Sequence, residues 1–319
     1  MIKSKKNDKK SPVFSGAHIR HIIQGFITLI TNSYIVGFFS AKIFTGKTKY
    51  VCVPGLNCYS CPGALSSCPI GAYQAVVGGR THNITYYVTG ILIFFGVLFG
   101  RVVCGFLCPM GFLQDLLYKI PLPRHKTQKE KAKRFKIPQI IDKPLRYLKY
   151  IMLIVPVMLL PIIFTRFGIG DPYFCKWICP VGTLEGGIPL VLQNESLQAM
   201  VGFLFTWKMT ILAIIIISSI FIYRPFCKYI CPLGAIYALF NSVSIYNMSI
   251  DNASCTRCGL CEKACHMQVE IIKKLRTPQT QKPQKKSCAV TPISSPECIR
   301  CGDCKRACPH NAIKSGWGR

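Results

Sequence analysis

The sequence predicts an α-helical membrane protein, with about four transmembrane helices in a duplicated two-helix unit, followed by a small cysteine-rich α+β domain. Half of the 319 residues are hydrophobic, and four apolar stretches are long enough, or nearly so, to span a bilayer. The 19 cysteines recur at the short spacings of metal sites rather than as a disulfide framework. We expect a basic arm at residues 1–18, a membrane domain at 19–245 and the cysteine-rich domain at 246–319, with an insertion at about 270–296.

The four expected spans follow the hydropathy of the chain. They lie at about residues 22–43, 86–103, 150–167 and 197–223. The polar residues 193–195 precede the last span, so residues 187–192 are expected to be re-entrant or interfacial. The first stretch is too long for the apolar region of a cleavable signal peptide.

Lysine and arginine are distributed unevenly around these spans. The N-terminal arm, residues 119–149 and the chain from residue 224 onward are basic, whereas residues 46–85 and 168–197 contain few Lys or Arg. By the positive-inside rule, we expect a multi-pass protein of the cytoplasmic membrane with both termini and the C-terminal domain in the cytoplasm. The net charge of +28 is explained by these flanking segments. Nucleic-acid binding is not expected, because no recognition motif accompanies the charge.

The C-terminal domain contains two cysteine runs with the doubled spacing of bacterial two-cluster ferredoxins. In this arrangement each run supplies three thiolates to one [4Fe-4S] cluster, and its fourth cysteine crosses to the other cluster. The first predicted cluster is bound by Cys255, Cys258, Cys261 and Cys308. The second is bound by Cys298, Cys301, Cys304 and Cys265. Zinc sites more often use two Cys-x2-Cys pairs, so iron–sulfur clusters are favoured.

A Cys-Pro-x-Gly motif occurs four times in the membrane half. It begins at Cys68, Cys108, Cys179 and Cys231, and the last three extend backwards to Cys-x3-Cys through Cys104, Cys175 and Cys227. Positions four apart on a helix share a face, so both thiolates of such a pair can bind one metal core. Proline is expected to end the preceding helix, and glycine to let the backbone approach the cluster. Helix packing by small residues would explain one such motif but not three.

The order of helix, outer cysteines, helix and inner cysteines occurs twice. The inner pairs are expected to share one cluster site, bound by Cys104, Cys108, Cys227 and Cys231. On the outer side two ligand sets remain open. One combines Cys175 and Cys179 with Cys68 and either Cys58 or Cys61, and the other is formed by Cys52, Cys58, Cys61 and Cys68. Cys288 is left over and is expected to be a free thiol in the insertion.

These motifs resemble the membrane polyferredoxin family typified by NapH, the membrane part of NosR and CcoG-like proteins. The resemblance rests on residues 104–109, 175–180 and 227–232 and on the two C-terminal runs, and it spans most of the chain. It implies electron transfer at a membrane, commonly between a quinol pool or cytoplasmic donor and an extracytoplasmic reductase or maturation pathway.

Two functions from different classes are therefore considered. The first is a relay that carries electrons between a cytoplasmic or quinol donor and a redox partner, which is favoured by cysteines expected at both membrane faces. The second is an iron–sulfur redox sensor, or an accessory protein for metalloenzyme maturation. No substrate-converting site is evident, so an enzyme is not expected. His18 and His21 are interpreted as a solvated pair at the mouth of the first helix rather than as a quinone site.

Overall fold

The structure is a computed structural model that describes residues 16–40, 42–77, 83–120, 137–166, 169–272 and 290–318. Helices form most of the chain before residue 246, and a small sheet lies after it. The helices of the first half are α1 (Gly16–Thr31), α2 (Ile35–Ser40), α3 (Pro69–Val77), α4 (Asn83–Phe99), α5 (Val102–Phe106) and α6 (Pro109–Lys119). A single 3-10 turn, Lys47–Tyr50, lies between α2 and α3.

The first expected span, residues 22–43, does not form one continuous helix. Helix α1 ends at Thr31, and α2 begins only at Ile35. The backbone N–H of Asn32 still donates to the carbonyl of Thr28 (3.2 Å), but the N–H of Tyr34 donates to Gly63 O (3.1 Å) instead of continuing the helix.

The second half begins with a long helix, Gln139–Ile163, that starts before the expected span at residues 150–167. It is built from α7 (Gln139–Leu145), α8 (Leu148–Met152), a π-helical segment (Leu153–Leu159) and α9 (Leu160–Ile163). Pro156 lies inside the π-helical segment. Because proline has no backbone N–H and its ring clashes with the preceding turn, the helix widens there.

The chain then returns through shorter elements. These are the hairpin β1 (Thr165–Arg166) and β2 (Ile169–Gly170), π-helical turns at Phe174–Ile178 and Gly182–Gly187, and helices α10 (Ile188–Gln193), α11 (Glu195–Ala199), α12 (Phe203–Phe221), α13 (Pro225–Tyr229) and α14 (Pro232–Phe240). In the described residues, two helices are long and apolar enough to cross a membrane, namely Gln139–Ile163 and α12, whereas Tyr86–Phe99 is a shorter apolar helix. The expectation of four membrane-spanning helices is therefore met in part.

The C-terminal domain is a three-stranded antiparallel sheet with two short helices. Its elements are β3 (Tyr246–Asp251), α15 (Leu260–Ala264), β4 (Val290–Pro292), α16 (Asp303–Arg306) and β5 (Ile313–Trp317), with strand order β4-β3-β5. Met248 and Ile250 of the central strand lie in the core with Ile313. Within the expected insertion at about 270–296, residues 290–292 form strand β4. Cys288 lies outside the described residues.

Candidate metal centres

The two cysteine runs of the C-terminal domain share a local backbone shape. Arg257 and Gly259 have φ angles of 54° and 78°, and Arg300 and Gly302 have φ angles of 53° and 80°. These left-handed residues flank the second cysteine of each run and wind the loop tightly, which glycine permits without strain. As a result, Cys255, Cys258, Cys261 and Cys308 line one small cavity together.

The fourth cysteine of the first run lies in the second group. Burial raises the pKa of the Cys304 thiol to about 12, and the nearby thiols of Cys298 and Cys265 contribute to this shift. Cys265 also adds to the raised pKa of Cys298. Cys265 of the first run therefore lies near Cys298 and Cys304 of the second run, in the group that the spacing predicts for it.

The four inner cysteines are all buried and lie together. Cys104 is in α5 and Cys227 is in α13, while Cys108 and Cys231 are the N-cap residues of α6 and α14. The pKa of Cys231 is raised first by burial and then by the charges of the other three thiols. The structure thus brings together Cys104, Cys108, Cys227 and Cys231, which the sequence assigns to one site.

Each proline of the inner pairs begins a helix. Pro109 and Pro232 occupy the first helical positions of α6 and α14, where the missing N–H is tolerated. The prediction that the two cysteines of each inner Cys-x3-Cys pair lie four positions apart on one helix is therefore wrong. They lie on either side of a break between two short helices.

Two glutamines that the sequence analysis did not identify orient the paired cysteines. The side-chain amide of Gln114 donates to Cys227 Sγ (3.0 Å), and its carbonyl accepts from the N–H of Phe226 (3.1 Å). Gln74 makes the same two contacts with Cys175 Sγ (3.3 Å) and the N–H of Phe174 (2.9 Å). Each glutamine lies six residues after a Cys-Pro cysteine, a spacing that is visible in the sequence.

Four of the six outer cysteines gather around one cavity of about 390 Å³. The cysteines that line it are Cys58, Cys68, Cys175 and Cys179. The charges of Cys179, Cys68 and Cys58 all add to the pKa of Cys175, which burial raises well above its ordinary value. Of the two open ligand sets, this geometry favours the one that combines both halves of the chain, with Cys58 as its fourth member.

Cys52 and Cys61 do not line this cavity. Cys52 forms a backbone bridge to Ser67, and Cys61 Sγ lies 3.7 Å from Asn32 Oδ1. Both residues are buried, but neither lines the cavity with the other four cysteines of the outer group. The self-contained set of Cys52, Cys58, Cys61 and Cys68 is therefore less well supported.

The inner and outer sets are neighbours, which differs from the expected separation at two membrane faces. The loop 54–58 runs between them, and its Leu56 and Asn57 N–H groups interact with the thiols of Cys108 and Cys68, respectively. Because these N–H groups belong to consecutive residues, the two sulfurs lie at most about 10 Å apart. The buried Tyr237 donates a 2.9 Å hydrogen bond to Pro54 O on the same loop.

The donor sets fit four-iron clusters. Among the described residues, no three His, Cys, Asp or Glu side chains converge closely enough to bind a single metal ion. Sulfurs on one zinc ion lie about 3.8 Å apart, since each Zn–S bond is about 2.3 Å long. A four-iron core is larger and takes one thiolate on each iron, which suits four cysteines arranged around one cavity.

Two families of 4Fe-4S proteins match the chain. The 4Fe-4S binding domain matches residues 82–130, 150–188 and 204–245. The 4Fe-4S dicluster domain matches residues 254–313. The matches include three Cys-x3-Cys-Pro motifs and both C-terminal runs.

Several named proteins are similar to this chain. An uncharacterized protein of Methanocaldococcus jannaschii is 29% identical over 185 residues, which cover 58% of this chain and 66% of that protein. The putative electron transport protein YccM of Escherichia coli (strain K12) is 23% identical over 206 residues, or 63% of this chain and 52% of YccM. The ferredoxin-type protein NapH of the same organism is 24% identical over 201 residues, or 62% of this chain and 59% of NapH. The chain therefore spans about half to two thirds of these relatives.

No solved structure matches the chain. The regulatory protein NosR of Pseudomonas aeruginosa is also similar, so the resemblance to NapH and NosR drawn from the motifs is confirmed. The matched 4Fe-4S domains and these ferredoxin-type relatives support a polyferredoxin-like family for this chain, with several [4Fe-4S] clusters.

Proposed function

We propose that this protein is a membrane-bound electron relay with four [4Fe-4S] sites in a row. The proposed order is the site of Cys255, the site of Cys298, the inner site and the outer site. Each cluster, when bound, accepts and releases one electron. The polypeptide holds the sites at fixed separations, excludes water from the inner site and adjusts the charge around the inner and outer sites. The supporting observation is the direct contact between neighbouring sites along this row.

The first of these contacts joins the C-terminal domain to the inner site. Gly105 lies between Cys104 and Cys108, and a Cβ at this position would come within 2.8 Å of Ile299 O. Ile299 directly follows Cys298. The contact is fixed by the buried pair Arg101–Glu297 (2.7 Å) and by Asn241, whose amide donates to Cys298 O (3.0 Å). Buried and hydrogen-bonded contacts of this kind favour a rigid junction.

The second contact is loop 54–58, which lies between the inner and outer sites. Each end of the loop is hydrogen-bonded to a residue that lies six positions after the cysteine of a Cys-Pro motif. Tyr237 donates to Pro54 O, and Glu185 accepts a 2.8 Å hydrogen bond from the N–H of Cys58. The loop thereby bridges the two sites through its backbone.

The membrane location rests on the outward-facing apolar side chains of the two long helices. Phe203, Ile214 and Ile217 of α12 are 76%, 60% and 56% exposed. Ile154 and Ile162 of the other helix are 57% and 55% exposed. Exposed apolar surface of this extent is costly in water and favourable in lipid. We propose the orientation expected from the Lys and Arg distribution, with the C-terminal domain in the cytoplasm.

Electrons enter or leave at the cytoplasmic end through the site of Cys255. Cys258 is exposed, and Arg257 and His310 line the adjacent cavity. This is therefore the site most accessible to a soluble redox partner. The other partner contacts the outer site, whose cavity opens beside Asp171 and Lys176.

The ligand sets can be tested by cysteine substitution. Anaerobically purified protein should contain about sixteen irons with matching sulfide, because four clusters each hold four irons. Cys108→Ser and Cys231→Ser should each lose the same inner cluster, and the double variant should lose no more iron than either single variant. Additive loss from two different centres would contradict the shared site, and stoichiometric zinc would contradict the whole proposal.

A redox sensor is the second candidate function, and turnover distinguishes it from a relay. Purified protein in lipid vesicles should pass electrons from an impermeant one-electron donor outside to an acceptor trapped inside. Cys231→Ser should abolish this transfer but retain the two C-terminal clusters. A protein whose clusters are reduced without any transfer to the acceptor would be a sensor.

A further inference from the structure

The inner and outer sites have matching frameworks but different charges. Both contain a glutamine bound to a cysteine sulfur and to the preceding backbone N–H, as described above for Gln114 and Gln74. Both also pack the glycines of their Cys-Pro-x-Gly motifs against other segments of the chain. The outer site therefore serves as an internal reference for what differs at the inner site.

At the inner site these glycines face two arginines. A Cβ at Gly111 would lie 3.2 Å from Arg224 Nη1, and one at Gly234 would lie 3.6 Å from Arg101 Nη2. Each arginine stands three residues before a ligand cysteine and reaches across to the other half. Arg224 Nη1 donates to Cys104 O (2.6 Å), and Arg101 Nη2 donates to Cys227 O (3.1 Å).

At the outer site the corresponding positions carry less positive charge. A Cβ at Gly182 would lie 3.8 Å from Lys208 Nζ, which also donates to Cys175 O (3.2 Å). Lys208 therefore makes the contacts at the outer site that Arg101 makes at the inner site. A Cβ at Gly71 would lie 3.0 Å from the ring of Tyr59. Tyr59 therefore occupies the position at the outer site that Arg224 occupies at the inner site. The outer site also has the carboxylate of Glu185 on the N–H of Cys58.

The carboxylates that pair with the inner arginines do not neutralise them fully. Asp115 contacts both Arg224 (2.5 Å) and Arg20 (3.4 Å). Glu297 contacts both Arg101 and Lys149. Each buried group therefore contains two cations and one carboxylate. A net positive charge remains on each side of the inner site, where water does not screen it.

We propose that Arg224 and Arg101 hold the reduction potential of the inner cluster above that of the outer cluster. This inference rests on the ligand sets in the proposed function. Reduction adds one negative charge to a cluster, and buried cations next to its ligands stabilise that charge. Arg224 is the decisive residue, because Lys208 matches Arg101 whereas only an uncharged tyrosine matches Arg224. An electron shared between the two sites therefore resides mainly on the inner one.

Anaerobic potentiometric titration followed by electron paramagnetic resonance tests the proposal. In the wild-type protein, the signal lost in Cys231→Ser should be reduced at a higher potential than the signal lost in Cys179→Ser. Arg224→Gln should shift the reduction equilibrium of the inner cluster at least tenfold toward the oxidised form, which is about 59 mV for one electron. Asp115→Asn, which removes a negative charge, should shift the inner cluster in the opposite direction.

The control variants separate charge from packing. Arg224→Lys should retain most of the inner potential, and Tyr59→Phe at the equivalent outer position should change neither cluster. An inner potential at or below the outer one in the wild type would overturn the proposal, as would an unchanged potential in iron-loaded Arg224→Gln. If Arg224→Gln does not bind iron, the wild-type order and the Asp115→Asn shift decide the outcome. If Cys231→Ser loses no signal, the ligand sets and the proposed function fail instead.

Discussion

At the scale of single residues, Gln74 and Gln114 connect ligand geometry to the protein core. Both are fully buried, and each uses its carbonyl and its amide at once. The carbonyl of Gln74 accepts a hydrogen bond from the N–H of Phe174, and that of Gln114 accepts one from the N–H of Phe226. Each phenylalanine directly precedes one of the predicted ligand cysteines. One side chain therefore fixes both the backbone and the sulfur of that cysteine. Buried polar groups with no partner cost free energy, so these glutamines are expected to be sensitive to substitution.

Gln114→Met and Gln74→Met test this role. Methionine has a similar shape but leaves the N–H of Phe226 or Phe174 without a partner, which should lower stability by about 1–3 kcal/mol. Thermal loss of the visible cluster absorbance measures the effect. Gln198→Met, at a residue with an exposed hydrogen bond, is the matched control and should have little effect. Equal stability of all three variants would show that these hydrogen bonds are unimportant.

At the scale of elements, loop 54–58 is the part of the chain that joins the two cluster sites of the membrane half. It is held from the inner side by contact with the backbone of Cys108, and from the outer side by Glu185. Gly55 is required at its closest approach, where a Cβ would lie 2.8 Å from Leu107 O and 3.0 Å from Cys108 Cα. Neither backbone atom can move without moving a ligand.

Gly55→Ala should therefore displace the loop and reduce the iron content of both the inner and outer sites. Gly90→Ala is the matched control. Gly90 lies in α4 with nothing within 4 Å of a Cβ, and alanine favours a helix by about 1 kcal/mol over glycine. Iron analysis of the two purified proteins measures the difference. Full iron content in Gly55→Ala would contradict the close approach of the loop.

At the scale of the whole molecule, the C-terminal domain is docked rigidly on the membrane half. Glu297 joins it to Arg101 and Lys149, and burial alone would raise the pKa of Glu297, but these two charges lower it to about 2. His266, which directly follows Cys265, packs against Tyr118 and Tyr223 of the membrane half and so contributes to the docking.

Gly105→Ala should separate the two parts without removing clusters. Its methyl group would lie 2.8 Å from Ile299 O, so the junction between the Cys298 site and the inner site must widen. We expect full iron content but slower transfer from the C-terminal clusters, measured by rapid-mixing reduction. Gly316→Ala, with nothing within 4 Å, should transfer at the normal rate. Loss of iron in Gly105→Ala would mean that the residue supports ligation rather than docking.

The proposed orientation of the chain in the membrane makes a further prediction at this scale. Lys314 lies on the exposed face of the C-terminal domain, with 68% of its side chain accessible. A cysteine introduced there should resist an impermeant thiol reagent in intact cells and react after lysis. Reaction in intact cells would place the domain outside the cytoplasm.

The sequence by itself determined the cluster type, and it predicted the ligand sets of the C-terminal domain and the shared site of the inner cysteines. It could do so because ligand spacing within one loop or one helix end is a local property. The choice of Cys58, Cys68, Cys175 and Cys179 on the outer side required the tertiary structure. So did the neighbouring positions of the inner and outer sites, and the arginines that cross between halves. These features depend on which distant segments pack together, and spacing along the chain does not record that packing.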